Sequence, residues 1–444
     1  MATATATATT TTTTEVSHVT TYTVKPARDT GGKRWHLGAP DLSMLSYHYI
    51  QKGLFFTKPP SPIDEVLDRL RAALSECLVH FFPLAGRLVY EEEEEYFYVD
   101  CNDEGAEVVH AKADVTAEDA MAPAPVGVTP ILRDFFALND KVGFDGMTLP
   151  LLAIQVTELV DGVFIGTSTN HALFDGTSYW MIVNALSELC RGAEKISRPP
   201  VSEQWFPYPV PIKLPFHPGL VDRFTPPPLK ERVFHFSAAS IAILKAKANA
   251  TKDPDAPPFS SFQVLYAHLW RGVTRARKNP EGETVRCSLY VTYRQRVTPP
   301  IPANSIGNII RSVYALTTAG ELLSHNLAWA AGLLQKLISS QTDQELREGL
   351  AAQARNPHVT HLSSFGSTHL LMGSSPRFDM YGNDFGWGKP IQARVGHDNR
   401  YDGKAFALPA PEGGGSTEVE LCLLPEYMDA LEVDEEFLEA VTPS

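Results

Sequence analysis

Ten prolines fall between Pro199 and Pro228, at positions 199, 200, 207, 209, 211, 215, 218, 226, 227 and 228. Each locks φ near about −65° and removes a backbone donor, so this stretch sustains neither a helix nor a central strand. In a chain of 444 residues such a break separates two halves, each long enough to bury a core of its own. The expected organisation is a tail over residues 1–17, a first domain over 18–195, a crossover over 196–230 and a second domain over 231–444.

Both halves mix helical and strand periodicities. Ser61-Pro62-Ile63-Asp64 opens a helix with a hydroxyl cap, an early proline and an acid in the first turn. Ile63, Val66, Leu67, Leu70, Leu74, Cys77 and Leu78 give that helix one apolar face. Residues 87–100 predict a hairpin with the solvated run Glu91 to Glu95 at its tip, and 151–159 with 163–169 a second one around Asp161-Gly162. Helices are expected over 177–189, 237–250, 260–277, 319–339 and 343–354, and strands over 286–291, 309–315 and 417–424. Alternating helices and strands in both halves make the fold class α/β or α+β, with two similarly built domains.

Composition narrows the function. A net charge of −14 opposes non-specific nucleic-acid binding, which needs a basic surface. No apolar run approaches the length that crosses a bilayer. The five cysteines, Cys77, Cys101, Cys190, Cys287 and Cys422, are scattered and form no C-x-x-C pair. They indicate neither a zinc site nor a disulfide framework, and a cytosolic, reducing compartment fits them. The opening MATATATATTTTTTEV lacks the basic and apolar regions of a secretory signal and reads as a disordered tail. The closing TPS is not a peroxisomal tripeptide.

Chemistry concentrates in TSTNHALFDGTSYW, Thr167 to Trp180, where His171 and Asp175 stand four apart before Gly176. Spacing alone carries little, because His110 and Asp114 repeat it. Context separates them. His171 follows a strand and precedes a helix, a junction where a side chain is rigidly held yet can face a cleft, whereas His110 is expected at a strand end on the surface. A tight turn sends residues i and i+4 in different directions, so a direct His171–Asp175 pair is not expected.

Several separated segments, taken together, resemble the plant BAHD acyltransferases, a family of coenzyme A-dependent enzymes. These are His171-Ala-Leu-Phe-Asp175-Gly176, Asp384-Phe-Gly386-Trp-Gly388-Lys-Pro390, Phe82 to Leu88, Ser260-Ser261-Phe262 through Arg271, Arg294-Gln295-Arg296 and Gly307-Asn308. They stand in the family order over residues 18 to 440. The resemblance implies a two-domain, chloramphenicol acetyltransferase-like α/β fold with an active-site channel between the domains. Acyl-CoA would enter from one face as co-substrate and a small-molecule acceptor from the other, with no permanently bound cofactor and no metal.

The same resemblance assigns roles. His171 is the catalytic base. Asp175 pairs with an arginine, Arg294 or Arg296, and the Asp384, Gly386 and Gly388 segment is structural. Ser260 and Ser261 open a helix near the cofactor phosphates, and Asn308 positions the thioester or its oxyanion. Leu42, Met44 and Ser46 belong to the acceptor side. Departures appear as well. Many hydroxycinnamoyl transferases carry Thr-Ser-Trp where this chain has Gly373-Ser374-Ser375, while Arg377 matches an arginine that holds acidic acceptors.

The expected function is therefore transfer of an acyl group from an acyl-CoA to a hydroxyl or amine of a plant specialised metabolite. The enzyme would be a cytosolic monomer bound to neither membrane nor nucleic acid. No G-x-S-x-G nucleophile elbow is present, which accords with direct transfer. The alternatives are a lyase using the same channel and histidine without coenzyme A, and a non-catalytic small-molecule binder.

Overall fold

The computed structural model of the chain describes residues 15–121, 128–252 and 256–442. Of the expected tail, residues 1–14 lie outside the described residues, and the first strand already begins at Val16. Two six-stranded sheets organise the fold. The first runs in the order Val16–Val24, Ala106–Ala113, Leu152–Glu158, Gly162–Thr169, Ile50–Thr57, Gln392–Val395. The second runs Ile310–Thr318, Thr284–Thr292, His369–Gly373, Lys404–Pro409, Thr417–Leu423, Lys230–Phe236. A small third sheet joins Arg34–His36, Tyr96–Asp100 and Arg87–Glu91.

Helices Ile63–His80 and Gly176–Cys190 cover the first sheet, and Ser261–Arg277 with Leu327–Ser339 covers the second. Several boundaries differ from the sequence expectation for identifiable reasons. The helix at residue 61 starts at Ile63, because Pro62 is extended (ψ 149°) and takes the cap position without a side-chain bond. The single helix expected over 319–339 breaks at His325-Asn326, where Asn326 accepts the Trp329 N–H at 3.0 Å and starts a new helix. Strands 50–57 and 369–373 are buried on both faces, so the two-residue alternation that marks a half-exposed strand is missing. His110 is a correction. It lies inside the strand Ala106–Ala113, 4% exposed, and bonds Glu158 at 2.8 Å, so it is a satisfied core histidine and not a surface strand end.

Residues 231–444 do not stay on their own sheet. Gln392–Val395 pairs antiparallel with Ile50–Thr57 at the edge of the first sheet. The Asp384–Pro390 turn delivers the chain there. Asp384 accepts the N–H groups of Gly386 and Gly388 at 2.7 and 3.0 Å. Both glycines have φ beyond +100°, a region closed to residues with a Cβ. Phe385 and Trp387 then pack edge-on against Phe56, at 5.6 and 5.5 Å between ring centres. Burial pulls the Asp384 carboxyl upward, but the Gly388 and Gly386 N–H groups outweigh it and hold the pKa below the usual carboxylate range.

A second tie between the halves is buried. Asp175 caps helix Gly176–Cys190 through the Ser178 N–H at 2.8 Å and is fully enclosed. Arg294 of the second half bonds both its oxygens, at 2.7 and 3.2 Å, and the Ile309 N–H adds a bond at 3.1 Å. Arg296 takes no part; its guanidinium donates to the carbonyls of Ile338 and Gln341.

Removing one partner of a buried pair strands the other charge, so Arg294→Ala is expected to cost about 3–5 kcal/mol of stability. Arg296→Ala forfeits only bonds to neutral carbonyls and should cost about 1 kcal/mol, read by denaturant unfolding of both variants. Asp384→Ala should also cost about 1 kcal/mol, with activity per folded molecule retained.

Candidate active site

Strand Gly162–Thr169 ends against the turn 170–175, and that turn is fastened from several sides. Asn170 donates to the Gly143 carbonyl at 2.8 Å and accepts the Ala172 N–H at 3.0 Å. Asn308 donates to the His171 carbonyl at 2.7 Å, so the backbone of the histidine is clamped from the other half of the molecule. Gly176 serves close approach, because a Cβ there would stand 3.1 Å from the Phe378 ring.

His171 is thereby held on the wall of a cavity of about 340 Å³. Its Nδ1 is buried with no partner in hydrogen-bonding geometry, and the residue lines the cavity. Burial, with the Lys404 charge adding to it, lowers the imidazole pKa to about 4, against support from its own main-chain carbonyl and from Asp175. At neutral pH the ring is uncharged and able to take a proton. The Tyr47 ring meets it edge-on, 5.7 Å between centres, and the Tyr290 hydroxyl donates to that of Tyr47 at 3.3 Å.

The side chains singled out in the sequence divide into two groups. His171, Gly176, Ser375 and Arg377 line the cavity. Asp175, Arg294, Arg296, Asp384, Gly386 and Gly388 stand off it in the structural positions described above. Leu42 and Met44 do not face it: both are buried in the first core, at 1% and 5% exposure. Ser46 instead accepts the Asp222 N–H of the crossover at 2.8 Å. Asn308, expected beside the thioester, lies behind His171 and also touches Asp41, whose carboxyl burial pushes up to about 7.

Sequence reading missed Tyr47, Lys52, Tyr290, Lys404 and Phe406 on the cavity wall. A signal existed for the two lysines. Lys52 stands inside the mostly apolar strand Ile50–Thr57 and Lys404 opens the apolar strand Lys404–Pro409. A lysine in a strand buried on both faces is rarely placed there by packing.

Arg377 lines a second cavity as well, of about 460 Å³, bordered by Lys245, Ser260, Ser261 and Gly413 to Gly415. Ser260 caps helix Ser261–Arg277, with Gln263 returning the bond, so the positive end of that helix opens toward this cavity. Among the described residues there is no cluster of metal-ligating side chains and no helix long and apolar enough to cross a membrane.

Comparison with known proteins agrees over almost the whole chain. A profile of the Transferase family matches residues 14–438. An uncharacterised acetyltransferase of Arabidopsis thaliana is 35% identical, covering 96% of this chain and 99% of its own length. The BAHD acyltransferase DCR of the same plant is 34% identical, with 94% and 90% covered. The fold is shared with TRI101 of F. graminearum, solved with coenzyme A and deoxynivalenol, at a TM-score of 0.73 and 19% identity, covering 92% of this chain and 99% of that one. A match of this extent shows that the chain is an acyltransferase and belongs to the Transferase family, the family of the BAHD acyltransferases.

Proposed function

We propose that the protein transfers an acyl group from an acyl-CoA thioester to a hydroxyl or amine of a plant specialised metabolite, with His171 as general base and no covalent enzyme intermediate. The observation that supports this most is a neutral, backbone-clamped imidazole on a cavity wall. Its Nε2 takes the acceptor proton as the acceptor atom attacks the thioester carbon. The tetrahedral centre then collapses, the carbon–sulfur bond breaks, and the imidazolium returns the proton to the departing thiolate. No nucleophile on the protein is needed, because coenzyme A is already a good leaving group. Holding both substrates in one cavity supplies much of the remaining gain.

In this reading coenzyme A occupies the second cavity, its phosphates near Lys245, the Ser261–Arg277 helix start and the Gly413–Gly415 backbone. TRI101 with coenzyme A and deoxynivalenol is a neighbour of the same fold that holds two such ligands. Asp175 and Arg294 hold the turn that presents His171, and Asn308 positions its backbone. A reducing cytosol accords with five buried, unpaired cysteines, and we take the working unit to be a monomer.

His171→Ala is expected to lose about a hundred- to ten-thousandfold in turnover while keeping its melting temperature. Release of free thiol from acetyl-, malonyl-, benzoyl- and hydroxycinnamoyl-CoA with plant extract as acceptor source measures it, and undiminished release would remove the base from the scheme. The base works when deprotonated, so kcat/KM should rise through a limb at about pH 4 and stay flat above it. A limb near 6.5 would mean that burial and the Lys404 and Asp175 charges do not act on the ring as described.

A further inference from the structure

Two lysines of the His171 cavity have no part in acyl transfer as derived so far. Lys52 and Lys404 are 6% and 4% exposed, and both line the cavity. Their ammonium groups lie against the ring of Phe406, at 5.3 and 4.9 Å from its centre. Among the described residues neither has a carboxylate at ion-pair distance. Glu420 acts on Lys52 only through space, being bonded to Arg400 at 3.0 Å, and Glu231 is held by the same arginine at 2.8 Å. The acidic side chain of the cavity, Asp398, accepts the Asp140 N–H and pairs with neither lysine.

Burying two like charges side by side without counter-charge opposes folding. Burial lowers Lys52 to about 8, and burial together with the Lys52 charge lowers Lys404 to about 7. Room is kept for them nonetheless. A Cβ at Gly373 would stand 3.0 Å from the Lys404 Nζ, so the glycine keeps that ammonium clear. The small Ser375 lines the same wall. Arg377 adds a third cation at the junction with the second cavity. Such an arrangement is completed by an anion that arrives with the substrate.

We propose that Lys52 and Lys404 form a carboxylate-binding wall of the His171 cavity, so that the substrate turned over there carries a free carboxylate on its acyl group or on its acceptor. This rests on the acyl-transfer reading for the identity of the substrates, but not for the binding itself. Charge-assisted bonds to two buried ammonium groups should favour an acid over its neutral analogue by about tenfold to a hundredfold.

Calorimetric titration of the full chain tests this with two probe pairs: malonyl-CoA against acetyl-CoA, and 4-hydroxybenzoate against its methyl ester in the presence of free coenzyme A. At least one acid should bind about tenfold or more tightly than its partner, and the pair that does so identifies the source of the carboxylate. Lys52→Met and Lys404→Met should each erase that preference. Both remove an unpaired buried charge and should melt no lower than the wild type, which separates lost binding from lost fold. Equal binding within both pairs, or a preference that survives both substitutions, overturns the proposal. Acid preference without thiol release from any acyl-CoA would instead sink the acyl-transfer reading and leave the carboxylate wall standing.

Discussion

The buried pair of Asp175 and Arg294 is the interaction on which the site depends. One carboxylate caps helix Gly176–Cys190, receives both arms of a guanidinium and accepts the Ile309 N–H. The helix belongs to the first half of the chain and the arginine to the second. An ion pair without solvent is worth having only where geometry and further hydrogen bonds satisfy every charge, and here they do. The consequence is positional: residues 307–309 are brought against the turn that carries His171, and Asn308 reaches its carbonyl. The placement of His171 and the contact between the halves are thus one construction.

That construction keeps the Asp175 carboxylate bonded away from the His171 ring. The carboxylate is fully engaged on the far side of the turn and the imidazole faces the cavity. Asp175 supports the charged ring only through space, and burial outweighs it, leaving the histidine a weak base at rest. In the proposed mechanism a weak base suits an acceptor proton that becomes acidic only as attack proceeds. Lys404 tilts the site in the same direction, since its charge disfavours an imidazolium. An anionic substrate at that wall would offset this charge.

Much of the fold is legible in the chain. The proline run, the Asp161-Gly162 hairpin, the helix start at Ser260 and the apolar face from Val66 to Leu78 are local signals, and local signals survive in sequence. What escaped reading is non-local. Strand Gln392–Val395 reads as nothing in particular until it is seen pairing with Ile50–Thr57, more than half the chain away. The family resemblance assigns Leu42 and Met44 to the acceptor side, yet in the fold they pack into the core while nearby Tyr47 meets the histidine. A step of a few residues along an irregular segment reverses which side faces the cavity, and spacing does not encode it.

By itself the sequence determined the two-part α/β organisation, the strand-to-helix junction that presents His171, and the order of motifs that ties the chain to its family. Tertiary structure alone decided which arginine meets Asp175, that Asn308 stands behind the histidine, and that Lys52 and Lys404 converge on one ring. The division has a physical cause. Capping, turn chemistry and periodicity act over a few residues, whereas charge pairing and cavity lining depend on distances set by packing between segments hundreds of residues apart.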